Sequence, residues 1–161
     1  MNSDLFKIEA LTVKDAPFLT VLQKESPGRP WSLGETKQML EDSTIQGWGI
    51  RKKTELFGFI LIQKTLESVD ILDFVVEKSV RRQGAGQRLY DCCECMCKKD
   101  QIKEIFLEVA ASNHPALSFY HKQGFINIGI RPLYYTSPSG KEDSFLMKKN
   151  NNSWMKIDFI C

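Results

Sequence analysis

The chain has 161 residues, of which 42% are hydrophobic, and a formal net charge of +2 at pH 7. This length is typical of one compact domain, and so small a net charge gives no reason to expect nucleic acid or an anionic membrane as a partner. The longest apolar run, Phe57–Ile62, is far shorter than the ~20 residues that span a bilayer, and Asp4 stands where an export signal is basic. We therefore expect a cytoplasmic protein without a membrane partner, either a monomer or a weak dimer.

Hydrophobic periodicity divides the first half of the chain into strands and helices. Thr12 with Asp15, and Ser32 with Glu35, have the spacing of helix-capping pairs. Pro17 falls inside the first of the two helices, where its missing N–H is unfavourable. The predicted elements are a strand at residues 6–11, helices at 12–24 and 32–40, and strands at 46–51, 55–64 and 68–76.

The second half alternates strands with helices and predicts a mixed α/β (α+β) sheet. Its predicted elements are a loop at residues 77–86, a helix to about Asp100, a strand at 104–110, a short helix from Asn113 to Gly124, and strands at 125–130 and 142–148. No repeat or linker divides the chain, so we expect one domain over residues 1–149. A tail of unknown role would follow at 150–161, where alternation from Trp154 to Ile160 fits either an edge strand or a partner-binding segment.

Four of the five cysteines lie between positions 92 and 97, within one predicted helix. Neighbours on a helix rarely reach disulfide geometry, which suits a reducing compartment. Leu89, Cys92, Cys93 and Met96 would form one apolar stripe, and no histidine is near enough in the sequence to complete a zinc site. We expect these thiols to pack as small hydrophobic side chains, and we expect no metal.

A loop with the sequence Arg-Arg-Gln-Gly-Ala-Gly, Arg81–Gly86, separates a strand from a helix. Such a loop gathers backbone N–H groups at a helix N-terminus, where the helix dipole favours an anion such as pyrophosphate. Gly84 and Gly86 would let the anion approach the backbone, and Arg81 and Arg82 would add charge at the rim. The loop lacks the Gly-Lys-Ser/Thr of a Walker motif and the third glycine of a dinucleotide fingerprint. A tight turn without a ligand is the alternative.

This loop, with its flanking strand and helix, resembles the coenzyme A-binding core of the GNAT acyltransferases. The resemblance spans about residues 69–130 and includes Asn113 and the pattern Tyr120-x-x-x-Gly124-Phe125. The chain to about Lys149 further resembles the bacterial RimI-type ribosomal-protein-alanine N-acetyltransferases, at Pro30-Trp31-Ser32, residues 106–113, Arg131-Pro132-Leu133-Tyr134-Tyr135, residues 140–143 and Met147. It implies the GNAT fold, a single mixed, mostly antiparallel twisted sheet of about six to seven strands with about four helices on both faces.

The resemblance also implies acetyl-CoA as co-substrate and gives roles to individual residues. Glu108 would be the general base and Tyr120 the general acid. Residues at the coenzyme would be Phe74, Val75 and Val76 along the acetyl-pantetheine arm, Arg81, Arg82, Gln83, Gly84, Ala85, Gly86 and Gln87 around the pyrophosphate, and Asn113 and Tyr120 beyond them. The acceptor would lie against Trp31, Tyr134 and Tyr135. The chain departs from the family where a proline is frequent near Lys78 and a basic residue is frequent at Ala110.

Acetyl transfer to an amine needs a neutral nitrogen, a polarised carbonyl and a proton for the departing thiolate. Alternation along the strand directs Phe106, Glu108 and Ala110 to one face, where apolar neighbours would raise the pKa of Glu108 and suit it to accept a proton. A glutamate paired with a lysine or arginine is the alternative. Tyr120 lies about two helical turns beyond Asn113, and its phenol is placed either to protonate the thiolate or to pack as a half-buried aromatic.

More than one class of acceptor amine is compatible with these residues. An α-amino group with a pKa near 8 costs about 1.4 kcal/mol to deprotonate at pH 7, and a lysine near 10.4 costs about 4.6 kcal/mol. This difference favours a protein N-terminus as the acceptor. We expect direct transfer in a ternary complex, because no cysteine lies near the predicted chemistry. The alternatives are an acetyltransferase for a lysine or a small amine, and a binding module that holds acyl-CoA without catalysis.

Overall fold

The parts of the chain that the computed structural model describes, residues 6–26, 29–137 and 139–151, form seven strands and four α-helices. The strands are β1 (Lys7–Ala10), β2 (Ile45–Lys52), β3 (Glu55–Lys64), β4 (Ser68–Val76), β5 (Glu104–Ala110), β6 (Ile126–Ser137) and β7 (Gly140–Asn150). The helices are α1 (Ala16–Leu22), α2 (Leu33–Glu41), α3 (Ala85–Lys99) and α4 (His114–Lys122). Each element predicted before residue 150 is present, and the last two strands are longer than predicted.

All seven strands form one sheet in the order β1-β2-β3-β4-β5-β7-β6. Neighbouring strands are antiparallel except β4 and β5, which are parallel because α3 lies between them in the chain. The prediction of a mixed, mostly antiparallel sheet with helices on both faces is confirmed.

Helices cover both faces of the sheet, and each face has its own apolar core. On one face Leu19 of α1 packs with Phe59 and Leu61 of β3, and α2 adds partly buried side chains. On the other face Leu89 of α3 packs with Ile60. Strand β3 therefore buries alternate residues on opposite faces, which explains why its sequence is a continuous apolar run.

Helix α1 is shorter than predicted, and this resolves the unfavourable position of Pro17. Short 3-10 turns, Val13–Asp15 and Gln23–Glu25, flank the α-helical segment on either side. Pro17 consequently lies in the first turn of α1, where its missing N–H costs no helical hydrogen bond. The predicted capping box of α2 is confirmed, since Ser32 Oγ accepts from the Glu35 N–H at 3.2 Å.

Two of the four cysteines of α3 pack into the core, and the predicted stripe is wrong in detail. Cys93 and Cys97 are fully buried together with Leu89 and Tyr90, whereas Cys92 is only half-buried. The buried positions repeat at intervals of four along this face, and Cys92 lies on the flank that turns away from the sheet. Burial raises the pKa of Cys92.

The sheet and its contacts extend past the predicted boundary at residue 149. Asn150 ends β7, and Asn151 is buried, with its N–H donating to the Lys103 carbonyl at 2.8 Å and its side-chain amide donating to Ile102 at 3.2 Å. The strand or partner segment considered at 154–160 lies outside the described residues. Within the described ranges, no helix has both the length and the apolar character to cross a membrane.

Candidate active site

Strands β4 and β5 separate halfway along their length. They pair from Ser68 and Glu104 to Ile71 and Leu107. Beyond this point β4 continues through Leu72–Val76 and β5 through Glu108–Ala110, each paired only with its other neighbour. We call the opening between these two segments the β4–β5 cleft.

A β-bulge in β4 starts the separation. Opposite β3, Ile71 pairs with Ile62 and Asp73 with Leu61, so that Leu72 is an extra residue. A bulge increases local twist and bends the strand that carries it. It also directs two consecutive side chains to one face: Leu72 joins the core beneath α1 and α2, and Asp73 is hydrogen-bonded by residues that follow α1.

Backbone groups of Phe74 and Val76 line the cleft. The Glu77 N–H donates to the Phe57 carbonyl at 2.8 Å, and alternation along the antiparallel pair then directs the backbone groups of Val75 to β3. Those of Phe74 and Val76 turn to the cleft. Of the three residues assigned to the acetyl-pantetheine arm, Phe74 and Val76 therefore turn backbone groups to the cleft, and Val75 does not.

The glycine loop ends at the N-terminus of α3, next to the cleft. Gly84 has φ of +85° and precedes the helix, so a side chain there is strained although a Cβ would meet no atom within 4 Å. A Cβ on Gly86 would lie 3.7 Å from the Phe74 ring and 3.8 Å from Val76. The first-turn N–H groups of α3, which have no acceptor inside the helix, therefore lie beside the cleft-lining end of β4.

The polar side chains of the loop have separate tasks. Arg81 donates from Nε to the Val76 carbonyl at 2.6 Å and pairs with Glu25 at 2.8 Å, so its guanidinium ties β4 to the segment after α1. Gln83 donates to the Ser79 carbonyl at 2.9 Å. Arg82 is exposed, with φ of +57°.

Two further residues assigned to the coenzyme lie in the first turn of α3. Gln87, exposed on the first turn of α3, donates to Asp91 at 2.8 Å and so bridges one turn of its own helix. Ala85 is buried. Both contribute a backbone N–H at the helix N-terminus, which is the group that an anion would meet there.

Glu108 has polar partners rather than the apolar neighbours that were expected. Its carboxylate pairs with Arg131 at 2.9 Å and accepts from Ser144 Oγ at 3.2 Å, on the face of the sheet opposite α3. Its backbone carbonyl accepts from the Tyr135 hydroxyl at 3.4 Å. The ion pair that was the alternative interpretation is therefore present, and it holds a carboxylate at the border of the cleft.

Tyr120 lies on the opposite side of the cleft, in the core beneath α3 and α4. It is 7% exposed, and its ring packs on Phe119 and Phe125 at 5.6 and 5.5 Å between centroids. Burial raises the pKa of its phenol well above the ordinary value, and the charge of Asp73 raises it further. Asn113 caps α4 by accepting from the Ala116 N–H at 3.3 Å, which fixes the helix that carries Tyr120.

The three aromatic residues expected at the acceptor lie at two places. Tyr134 and Tyr135 stand in β6, where an irregularity inserts extra residues between Arg131 and Tyr135, and their rings are 5.1 Å apart. Tyr134 is half-exposed beneath the Arg131 guanidinium, 4.5 Å from the ring centroid. Trp31 packs against the core beneath α1 and α2, on the segment between those helices.

Sequence reasoning missed Asp73. Its carboxylate accepts from Gln23 Nε2 at 3.0 Å, Ser26 Oγ at 3.1 Å and the Phe74 N–H at 2.9 Å. Burial nevertheless raises its pKa to about 6, because the hydrogen bonds offset only part of the desolvation cost. Asp-Phe-Val-Val reads as an ordinary strand end, and only the bulge brings this carboxylate to the cleft.

A family model for the acetyltransferase (GNAT) domain matches residues 31–133. The [Ribosomal protein bS18]-alanine N-acetyltransferase of Escherichia coli strain K12 is 26% identical over 140 residues, which cover 87% of this chain and 94% of that protein. The enzyme of the same name from Haemophilus influenzae is 27% identical over 119 residues, covering 73% and 80% of the two chains.

Solved structures show the same fold. The crystal structure of the Escherichia coli ribosomal-protein-S18-alanine N-acetyltransferase superposes with a TM-score of 0.83 at 24% identity and covers 90% of this chain and 93% of that one. Arabidopsis thaliana NAA60 in complex with acetyl-CoA gives a TM-score of 0.81 at 18% identity, with coverage of 91% and 99%.

We expect Gly84→Ala and Gly34→Ala to change stability in opposite directions. Gly84 has a positive φ, so alanine there should lower the free energy of unfolding by about 1–2 kcal/mol. Gly34 lies in α2, where a Cβ would make only an ordinary contact with Ser32 Oγ at 3.9 Å, and alanine should raise the free energy of unfolding by about 0.4–1 kcal/mol. Urea denaturation of both variants measures the two effects, and a stabilised Gly84→Ala would contradict the conformation described.

We also expect the free energy of unfolding of Asp73→Asn to rise relative to that of the wild type as the pH rises. The pKa of Asp73 is raised from 3.8 to about 6 on folding, so the folded protein holds a proton between these values that the unfolded chain has lost. The stability that the wild type gains from binding this proton is fully present below about pH 4 and is lost as the pH rises through 6. The difference in unfolding free energy between variant and wild type should grow by about 1–3 kcal/mol from pH 4 to 7. A constant difference across this range would contradict the assignment.

Proposed function

The chain belongs to the GNAT acetyltransferase family and is an N-acetyltransferase, and from this premise we propose that it transfers the acetyl group of acetyl-CoA to the α-amino group of a protein N-terminus. The observation that carries the proposal is the β4–β5 cleft, which has a helix N-terminus at one end and Glu108 and Tyr120 on its two sides. The names of the relatives from Escherichia coli and Haemophilus influenzae support an N-terminal alanine as the acceptor.

Acetyl-CoA fits the cleft and the loop beside it. GNAT acetyltransferases use this co-substrate, and the Arabidopsis thaliana structure of the same fold contains it. The pyrophosphate would bind the N–H groups over residues 82–87, where the open space beside Gly84 and the exposed Arg82 suit an anion. The pantetheine arm, which carries amide groups, would lie along the backbone of Phe74 and Val76, with Asn113 near its far side.

Direct transfer requires three groups at the thioester. In our proposal Glu108 accepts a proton from the acceptor ammonium, directly or through water, and the neutral nitrogen then attacks the carbonyl carbon. The C–N bond forms, the C–S bond breaks, and Tyr120 donates its phenolic proton to the departing thiolate. The second proton on nitrogen then passes through water to the Tyr120 phenolate, and Glu108 releases its proton to solvent. A raised pKa keeps that phenol protonated until the thiolate appears.

A covalent acetyl-enzyme is not part of this proposal. The described cysteines lie on α3. Cys93 is near enough to Tyr120 for a thiolate there to raise the pKa of the phenol, but Cys93 is fully buried. A hydrogen bond with Cys97 and burial raise the pKa of Cys93 well above its ordinary value, which disfavours the nucleophilic thiolate. The acceptor and acetyl-CoA would therefore bind together in a ternary complex.

The acceptor would reach the cleft on the face that carries Glu108. Tyr135 borders this face with its hydroxyl on the Glu108 carbonyl, Tyr134 is exposed beside it, and Trp31 lies on the segment between α1 and α2. We propose these three side chains as walls for the first residues of the peptide. Because Ala110 stands where the family often has a basic residue, we expect little preference for an acidic peptide here.

We predict that the protein acetylates a peptide with a free N-terminal alanine and not the same peptide with a blocked N-terminus and a free lysine. The physical reason is the lower cost of deprotonating an α-amine, about 1.4 kcal/mol against about 4.6 kcal/mol at pH 7. Mass spectrometry locates the acetyl group, and thiol release from acetyl-CoA gives the rate. Equal rates on both peptides, or turnover of small amines alone, would contradict the proposal.

Glu108→Gln and Tyr120→Phe should each lower turnover by about 10²-fold or more. Affinity for acetyl-CoA, measured by calorimetry, should stay nearly unchanged because neither side chain is assigned to the pyrophosphate. Glu104→Gln on the same face of β5 is the control for the first variant, and Tyr90→Phe in the adjacent core is the control for the second. Turnover that falls equally in variant and control would show a structural effect and would remove the assignment.

A further inference from the structure

The β4 bulge carries a carboxylate to which the proposed chemistry assigns no task. Asp73 is bonded by a side-chain amide, a hydroxyl and its own neighbour's N–H, so each of these donors is uncharged. The arginines on either side are engaged with other carboxylates, Arg81 with Glu25 and Arg131 with Glu108. A half-buried negative charge without a cationic partner among these contacts is costly, and a ligand that brings a positive charge would offset the cost.

The side chain of Gln23 holds Asp73 in place and links it to Trp31, a residue proposed at the acceptor. Gln23 is 6% exposed and donates from Nε2 to Asp73, while its Oε1 accepts from the Trp31 N–H at 2.7 Å. Ser26 adds a second bond to the carboxylate from the same segment. The carboxylate and the backbone of Trp31 are thus held by one buried side chain, which gives the charge a defined position beside a wall of the acceptor site.

The carboxylates of Asp73 and Glu108 border the same side of the cleft. The parallel register that ends at Ile71 and Leu107 brings Leu72 and Asp73 to the level of Glu108, and the bulge directs Asp73 to the face that Glu108 also occupies. Tyr135 responds to both charges: burial first, then Glu108, Tyr134 and Asp73, raise the pKa of its phenol to about 12. Two carboxylates and a hydroxyl therefore surround the point where the strands part.

We propose that Asp73 binds the ammonium group of the acceptor amine before transfer and so makes the enzyme select cationic acceptors. This inference rests on the proposed function and specifies the group that its acceptor must carry. An ammonium ion offers three N–H donors, which match Asp73, Glu108 and the Tyr135 hydroxyl. Gln23 is the positioning residue, since it orients the carboxylate and fixes Trp31.

The proposed sequence conserves protons and electrons. The acceptor enters as an ammonium ion and pairs with the Asp73 carboxylate, which stays ionised. One proton then moves to Glu108, and the neutral nitrogen leaves Asp73 and attacks the thioester carbon while the C–S bond breaks and Tyr120 protonates the thiolate. The second proton on nitrogen reaches the Tyr120 phenolate through water, and Glu108 releases its proton to solvent. Binding energy spent on the ammonium before this step lowers KM rather than raising kcat.

The test compares Asp73→Asn with Asp70→Asn in the full chain. Both replace a β4 carboxylate by an amide, but Asp70 stands opposite Phe106, where β4 and β5 still pair. We expect Asp73→Asn to raise KM for the amine about tenfold or more, with kcat and the KM for acetyl-CoA changed less than threefold. Asp70→Asn should leave all three near the wild-type values.

A binding measurement provides a readout that does not need turnover. The probes are two versions of one peptide. One has an N,N-dimethylated terminus, which is cationic and cannot form an amide, and the other has an N-acetylated terminus, which is neutral. Calorimetry with coenzyme A present should show that the wild type and Asp70→Asn prefer the cationic probe, and that Asp73→Asn has lost this preference. In the wild type the preference for the cationic probe should weaken from pH 7 to 5 as Asp73 becomes protonated. The other titratable or charged groups on this part of the cleft are Glu108, Arg131, Tyr120 and Tyr135.

Failure of this inference differs from failure of the proposed function. If blocked peptides with a free lysine are the acceptors instead of free N-termini, the proposed function is wrong, and KM for lysine in Asp73→Asn then tests the inference. Equal affinity of the wild type for the two probes, an unchanged preference in Asp73→Asn, or an equal rise in the KM for acetyl-CoA would each overturn the role of Asp73. If Asp73→Asn does not fold, the pH dependence of the wild type decides alone.

Discussion

The separation of β4 from β5 is the feature on which the rest of the site depends. Two parallel strands would ordinarily stay hydrogen-bonded to their ends, and the pairing here stops at Ile71 and Leu107 because the bulge at Leu72 bends β4 away. The backbone groups released from pairing line an opening in the middle of a seven-stranded sheet. Two of these groups have side-chain partners, since the Phe74 N–H donates to Asp73 and the Val76 carbonyl accepts from Arg81. The other backbone groups need another partner, and the amide-containing arm of a coenzyme is one that matches them.

Rigid packing on both faces keeps this opening from collapsing. Strand β3 is buried on both sides and holds β4 along its other edge, and β7 does the same for β5 up to Ala110. The cleft is therefore a gap between two well-supported walls, with α3 closing one end and the Arg81 contacts fixing the last residue of β4. The sheet therefore holds the side chains at the border of the cleft in fixed positions, as acid and base catalysis require.

Charge in the cleft is arranged at a cost to stability. Glu108 is neutralised by Arg131, but Asp73 keeps its charge against desolvation, with help only from neutral donors. A fold selected for stability alone would place an amide there, since burying an ion without a counter-ion is unfavourable. The cost is understandable if a cationic substrate supplies the missing charge, because the folded enzyme then gains affinity from the group that weakens it.

Local signals in the sequence were enough to locate most elements and one end of the site. The capping pair at Ser32 and Glu35, the glycine before α3 and the cap at Asn113 depend on neighbours within a few residues, and each is present as predicted. Gly84 was identified from its place in the loop before α3, and the structure adds a positive φ, which favours glycine there. The start of α1 was predicted too early, because Pro17 and the two flanking 3-10 turns are compatible with several helical starts.

What the sequence by itself determined was the alternation of buried and exposed residues, the order of strands and helices, and the glycine loop at the start of α3. Only the tertiary structure decided the partners of the charged residues: Arg131 for Glu108, Glu25 for Arg81, and Gln23 for Asp73. These pairs are 23, 56 and 50 residues apart in the chain, and no local pattern encodes them. The physical reason is that a bulge and a strand crossover bring such groups together, and both act over distances that periodicity does not reach.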